Sequence, residues 1–237
     1  MQPWERLASA TAPDGQPLEL KRRGKEVRIF AGGLELMSNE DESSSRALAS
    51  LGCAHLAPTK SGASGPASRV LVGGLGMGFT LREALDRVSA RSTVEVSELV
   101  PAVVEWNRSE WLGPLASHPL RDARAELHVL DVRSRIRAAT ALYDAVLLDV
   151  DNGPIALAHA QNDALYGRRG IAECWAALKP GGVLAVWSLL DDARYTKRLE
   201  QQGFAARAER VFGSRNGRGR QHVVWVATRP TGPRAGR

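Results

Sequence analysis

Residues 70–98, VLVGGLGMGFTLREALDRVSARSTVEVSE, constrain the fold more than any other stretch of the chain. An apolar run, Val70, Leu71 and Val72, leads into Gly73, Gly74, Gly76 and Gly78. Leu81, Ala84, Leu85 and Val88 then recur three and four residues apart, the spacing of one helix face. A second apolar run follows and closes on an acid, Glu98. Strand, tight glycine turn, helix and acid-terminated strand form the layout of a nucleotide-binding βαβ unit. The glycines let the backbone approach a ligand closely, and the helix start offers free N–H groups. The acid can accept hydrogen bonds from ribose hydroxyls.

The alternation continues downstream. Apolar runs predict strands at 69–73, 93–97, 125–130, 144–149 and 182–187. Helical spacing predicts helices at 78–89, 100–111, 132–140, 168–178 and 192–202. Lys179-Pro180-Gly181-Gly182 reads as a helix stop and a turn into the next strand. FAARAERVF and HVVWVATRP, around a Gly/Arg loop at 213–220, read as an antiparallel pair added to the sheet edge. This order predicts a mostly parallel sheet with helices on both faces. Residues 1–40 differ. Leu18 and Leu20, Val27 and Ile29, Leu34 and Leu36 alternate around Arg23-Gly24 and Gly32-Gly33, the pattern of a small β-meander. A helix starts within 40–45 and runs through Ala47, Leu48 and Leu51. The chain thus divides into a β-meander at 1–40, a Rossmann-like ligand-binding domain at 41–229 and a disordered tail at 230–237.

Composition narrows the class without naming a function. Hydrophobic residues make up 43% and charged residues 24% of 237, as in ordinary globular domains. Apolar runs are strand-length, which excludes a transmembrane helix, and no signal peptide is visible, so a cytoplasmic protein is expected. Cys53 and Cys174 lie far apart in apolar contexts, the pattern of buried reduced thiols and not of metal ligands. The net charge of +6 comes mainly from arginine and permits nucleic-acid binding. The Ala/Arg/Gly/Leu bias favours a simpler origin in codon usage. The Arg-rich stretch at 207–220 has only Phe212 for stacking, so nucleic acid is not the favoured partner.

In such a sheet, ligands bind at the carboxyl ends of the strands, near the point where strand order reverses. Four successive predicted strand ends carry suitable groups: the glycine loop, Glu98, Asp131 and Asp149. The loop is G-x-G-x-G (Gly74, Gly76, Gly78), one residue shorter than the dinucleotide fingerprint. Asp131 has no standard role in dinucleotide binding and could accept from an adenine amino group. Both points favour an S-adenosyl ligand.

Segments in order along the chain then resemble one family. Val70–Glu83, VLVGGLGMGFTLRE, resembles the VLxxGGGDGGxLRE segment of spermidine synthases, the polyamine aminopropyltransferases. VEVSELVPAVVEWNR (94–108), YDAVLLDVDNGP (143–154) and LYGRRGIAECWAALKPGGVLAVW (165–187) are similar to further segments of that family. The resemblance implies a Rossmann-like class I methyltransferase fold: a mostly parallel seven-stranded sheet, its last strand antiparallel, with the N-terminal meander. It implies Gly74, Gly76 and Gly78 as the cofactor loop, Glu98 on the ribose, Asp131 on the adenine amine and Asp149 at the reacting centre.

The chain departs from the family pattern at several positions, among them a D-x-x-D-P pair shortened to Asp149-Val150-Asp151-Asn152-Gly153-Pro154. Met77 stands where the family's loop has an aspartate that helps hold the amino group of the decarboxylated cofactor. In DESSSRALA (41–49), Asp41 and Glu42 match, while Ser45 and Arg46 replace a tyrosine and a histidine that orient the polyamine. These losses shift the expectation to an S-adenosylmethionine-dependent methyltransferase acting on a small amine. Aminopropyl transfer from decarboxylated S-adenosylmethionine is the alternative, and a non-catalytic or nucleic-acid-binding member a further one. Asp149 is expected as the base that takes the proton of an amine nucleophile, assisted by Asp151 and Asn152. Tyr166 and Asp41 are expected in the acceptor pocket. Asp149-x-Asp151-Asn152-Gly153 lacks the spacing of a calcium loop, with Ala160 where a bidentate Glu is needed, so no metal is expected. A homodimer paired through the N-terminal strands is compatible with this pattern.

Overall fold

The computed structural model describes residues 2–13, 15–56, 65–150, 164–214 and 219–232. Two sheets organise them. The first is a four-stranded antiparallel meander of β1 (Glu5–Thr11), β2 (Pro17–Arg23), β3 (Glu26–Ala31) and β4 (Leu34–Ser38), paired in sequence order. The last three strands match the sequence expectation. β1, ERLASAT, carries no clean alternation, and its residues are mostly exposed or half-buried, so pattern alone does not reveal it.

The second sheet has seven strands in the order β10-β11-β9-β8-β5-β6-β7. They are β5 (Arg69–Gly73), β6 (Thr93–Ser97), β7 (Ala125–His128), β8 (Tyr143–Leu148), β9 (Leu178–Ser188), β10 (Ala205–Phe212) and β11 (Gln221–Thr228). β5 to β9 run parallel, and β11 pairs antiparallel with both β9 and β10. This is the Rossmann-like α/β architecture with a mostly parallel sheet. β9 starts earlier than expected. Leu178 already pairs with Tyr143, and a register shift absorbs Lys179-Pro180-Gly181 before Val183 pairs with Ala145. The expected turn is therefore an irregular strand entry.

Strand residues alternate between two cores, as period-2 geometry requires. Val70, Val72, Val94, Val96, Ala145 and Leu147 face one side, with Leu48 of α1 (Glu42–Gly52), Leu81 and Leu85 of α2 (Phe79–Arg87) and Val103 of α3 (Pro101–Arg108). Leu18, Leu20, Val27 and Ile29 of the meander join that core, which anchors the small sheet. Leu71, Val146, Leu148, Leu184 and Trp225 face the other side. There they meet α4 (Val132–Ala138), α5 (Arg168–Ala177) and α6 (Ala193–Gln202). Cys53 and Cys174 are buried free thiols, both pushed up to about 12 by burial. Among the described residues, no helix is long and apolar enough to cross a membrane.

Strand order reverses at β5, flanked by β8 and β6. α1 lies close over β8 and β9: a side chain on Gly52 would collide with Leu147 and Ala185. Near the helix start, Ser45 hydrogen-bonds the Asp149 carboxyl past β8, so α1 reaches the carboxyl ends of the central strands.

Candidate active site

The loop after β5 is built from glycines in left-handed backbone, where a side chain would be strained. Gly74 has φ +85°, and a Cβ there would strike the Asp149 carbonyl oxygen. Its N–H donates to Ser97 O (2.9 Å), while Asp149 N–H donates to Gly73 O (2.8 Å). The loop is thus stitched to both neighbouring strand ends. Gly76, at φ +49°, faces Met37 from β4; a Cβ would come within 2.9 Å of its sulfur. Gly78 immediately precedes α2.

Glu98, just past β6, is 8% exposed. Its carboxylate accepts from Leu75 N–H (2.9 Å) and Val100 N–H (2.8 Å). Burial pushes its pKa above the usual carboxylate range, and the backbone donors of Val100, Leu75, Gly76 and Leu99 oppose that rise. No side-chain cation pairs with it among the described residues. A buried carboxylate held only by N–H groups can still accept from ligand hydroxyls, since each oxygen has more than one lone pair.

Asp149 follows β8. Thr80 Oγ1 lies 2.5 Å from its Oδ2, and the Ser45 side chain hydrogen-bonds the same carboxyl. Burial raises its pKa, against those two hydroxyls. The glycine loop, Glu98 and Asp149 are therefore brought together at the switch point.

The remaining expected site residues have these places. Asp131 is exposed and caps α4, accepting from Arg133 N–H at 2.9 Å. Asp41 lies against Gly213, where β10 ends, and no hydrogen bond to Asp149 is described. Tyr166 is 2% exposed, edge-on to Tyr195, with its hydroxyl donating to Val150 O (2.9 Å); it braces the residue after Asp149 from behind. Asp151 and Asn152 lie outside the described residues.

Two contributors escaped the sequence reading. Asn107, 1% exposed in α3, donates to Gly76 O (2.8 Å) and Val103 O (2.9 Å), so it props the glycine loop. An amide inside the apolar face of a predicted helix was its one signal. Met37 accepts from Met77 N–H at 3.3 Å, so the meander touches the loop directly. Nothing local in LELMS announces that contact.

Two of the departures change meaning in three dimensions. The Met77 side chain is fully buried among core residues, so its identity reflects packing. Arg46 donates to Glu42 (2.9 Å), lies 3.7 Å from Glu83 and stacks over Phe79 at 5.4 Å. Its charge is spent within α1 and α2.

No family model matches the chain. It is 39% identical over 124 residues to polyamine aminopropyltransferase 2 of Pseudomonas aeruginosa, a match covering 51% of this chain and 33% of the relative. It is 31% identical over 235 residues to polyamine aminopropyltransferase 2 of Streptomyces coelicolor, covering 94% of this chain and 38% of the relative. Spermidine synthase from Thermotoga maritima shares the fold with a TM-score of 0.71 at 20% identity, covering 96% of this chain and 74% of that one. In sequence and fold the chain is spermidine synthase-like. The matches span 33% and 38% of the length of the two curated relatives. The expectation of methyl transfer is corrected here. Both relatives are named for aminopropyl transfer, and the Arg46 charge that argued against it is paired with Glu42 and Glu83.

Proposed function

We propose that this spermidine synthase-like chain is a transferase that moves an aminopropyl group from decarboxylated S-adenosylmethionine to a small amine. The observation that carries the proposal is the Asp149 carboxyl at the switch point, which no cation pairs with among the described residues, in a chain similar to two polyamine aminopropyltransferases. A sulfonium donor and an ammonium acceptor are both cations, and a carboxylate without a counter-charge suits them.

The donor fits the residues present. Its sulfonium makes the attached carbon open to in-line attack. Glu98 would accept from the ribose hydroxyls, and the Gly74–Gly78 backbone would allow close approach. Asp149 would receive the acceptor's proton, since an alkyl ammonium is mostly protonated at neutral pH and has no lone pair until it loses that proton. Orientation supplies the rest of the rate, because the departing thioether is neutral and needs no oxyanion-type support.

Calorimetry with both forms of the donor tests this. Tighter binding of decarboxylated S-adenosylmethionine than of S-adenosylmethionine is expected, with an aminopropylated product found by mass spectrometry when a diamine is added. Preference for the carboxylated form, with no such product, would overturn the reading.

A further inference from the structure

Thr80 stands between two acceptors. Its Oγ1 is 2.5 Å from Asp149 Oδ2 and 3.1 Å from the Ser45 carbonyl oxygen. Thr80 is 2% exposed and Ser45 7%, so bulk water does not mediate these contacts. A threonine hydroxyl carries one hydrogen and accepts through its lone pairs. With Asp149 ionised, Thr80 donates to Oδ2. With Asp149 protonated, the carboxyl O–H donates to Thr80, which donates to Ser45 O. That carbonyl lies within α1 and keeps a helical partner in either state. No buried group is orphaned when the proton comes or goes, so the usual penalty for an unmet polar atom is avoided.

We propose that Thr80 is a positioning residue that holds the Asp149 carboxyl in one orientation through both of its protonation states. Asp149 can then take a proton from an ammonium acceptor with only the Thr80 hydroxyl hydrogen reorienting. The proton passes from the ammonium to Asp149 Oδ2. The freed nitrogen pair forms the new N–C bond, and the C–S pair leaves with the neutral thioether. The groups that act on Asp149 are Ser45 from α1 and Thr80 from α2; among the described residues no charged side chain contributes to its shift. The mechanism rests on the aminopropyl-transfer reading, but the state of the carboxyl does not.

Thr80→Val removes the hydroxyl at nearly constant volume, Thr80→Ser keeps it, and Thr80→Ala is the second hydroxyl-free variant should Val fail to fold. The Asp149 carboxyl is followed by ¹³C NMR, assigned against Asp149→Asn. The wild type should titrate above an ordinary aspartate. Thr80→Val should titrate higher still, because a charge-assisted hydrogen bond to the carboxylate is lost. In kinetics, Thr80→Val should lower kcat about 10-fold or more with donor affinity intact, and Thr80→Ser should restore most of it. Val and Ser variants with the same titration and the same kcat would overturn the proposal. A raised, hydroxyl-dependent titration in a protein with no aminopropyl product would leave the relay standing and remove the function.

Discussion

Two regions of the sheet bury carboxylates, and they do it in opposite ways. Glu95, mid-strand in β6, is fully buried. Arg135 donates to it at 2.6 and 3.0 Å, Tyr143 donates at 3.0 Å, and Arg69 and His128 lie at 3.4 Å. The Tyr143 hydroxyl is pushed up to about 12, first by burial and then by Glu95. Glu98 and Asp149, at the strand ends, have hydrogen-bond donors but no cation among the described residues. A carboxylate neutralised from within its own fold serves the fold. One left without a counter-charge is ready for a cation or a hydroxyl from outside. Glu95, Glu126 and His128 also have ligand atoms within 4.8 Å of one another, but Arg69 and Arg135 already supply positive charge to Glu95.

The contrast is broken most directly by neutralising one acid from each region. Asp149→Asn should cut aminopropyl transfer about 10²- to 10⁴-fold, the usual worth of a positioned base. Its melting temperature should hold or rise, since a desolvated carboxylate is removed. Wild-type turnover in that variant would take Asp149 out of the mechanism. Glu95→Gln should do the reverse. Removing one member of a buried ion-pair cluster leaves Arg135 under-compensated, at a cost of about 3–5 kcal/mol in denaturant unfolding. Donor affinity in the folded fraction should stay as in the wild type. A Glu95→Gln protein that melts normally would erase the distinction between the two regions.

How far this was readable beforehand follows the same division. The glycine turn, Glu98 and Asp149 are local signals: a strand pattern, then a special residue at its end. They are legible because each sits where the periodicity breaks. Asp131 sends the same signal; it lies exposed just past β7, where it also caps α4. Met77 and Arg46 show that sequence gives a side chain's identity but not its direction. One is swallowed by the core and the other folds back onto Glu42 and Glu83. Asn107, Met37 and Thr80 act across 31 to 69 residues of separation, and single-chain periodicity carries no long-range pairing.

A smaller effect is expected where the acid holds the loop itself. Glu98→Gln keeps one acceptor oxygen of two, so either Leu75 N–H or Val100 N–H loses its partner. About a 10-fold weaker affinity for decarboxylated S-adenosylmethionine should follow, roughly one charge-assisted hydrogen bond. An unchanged affinity would mean that Glu98 only shapes the loop.

The smallest effect is a difference in slope with pH, and it reads both kinds of carboxylate in one experiment. Asp122 is held at about 2, chiefly by hydrogen bonds from Arg124. The unfolded chain binds that proton more tightly, so Asp122 adds stability above about pH 4 and loses it as pH falls towards 2. Asp149 has the opposite sign. Its raised value means the folded protein keeps the proton longer than the unfolded chain. Folding stability from this group therefore declines as pH rises from the ordinary aspartate value to the raised one. Relative to wild type, Asp149→Asn should grow more stable as pH increases through that window, while Asp122→Asn should lose ground as pH climbs from 2 to 4. Thermal melts of the three proteins from pH 2.5 to 8 measure both slopes. Parallel curves would show that the strand-end carboxyl is as well compensated as the paired one, and the contrast between the two regions would fall.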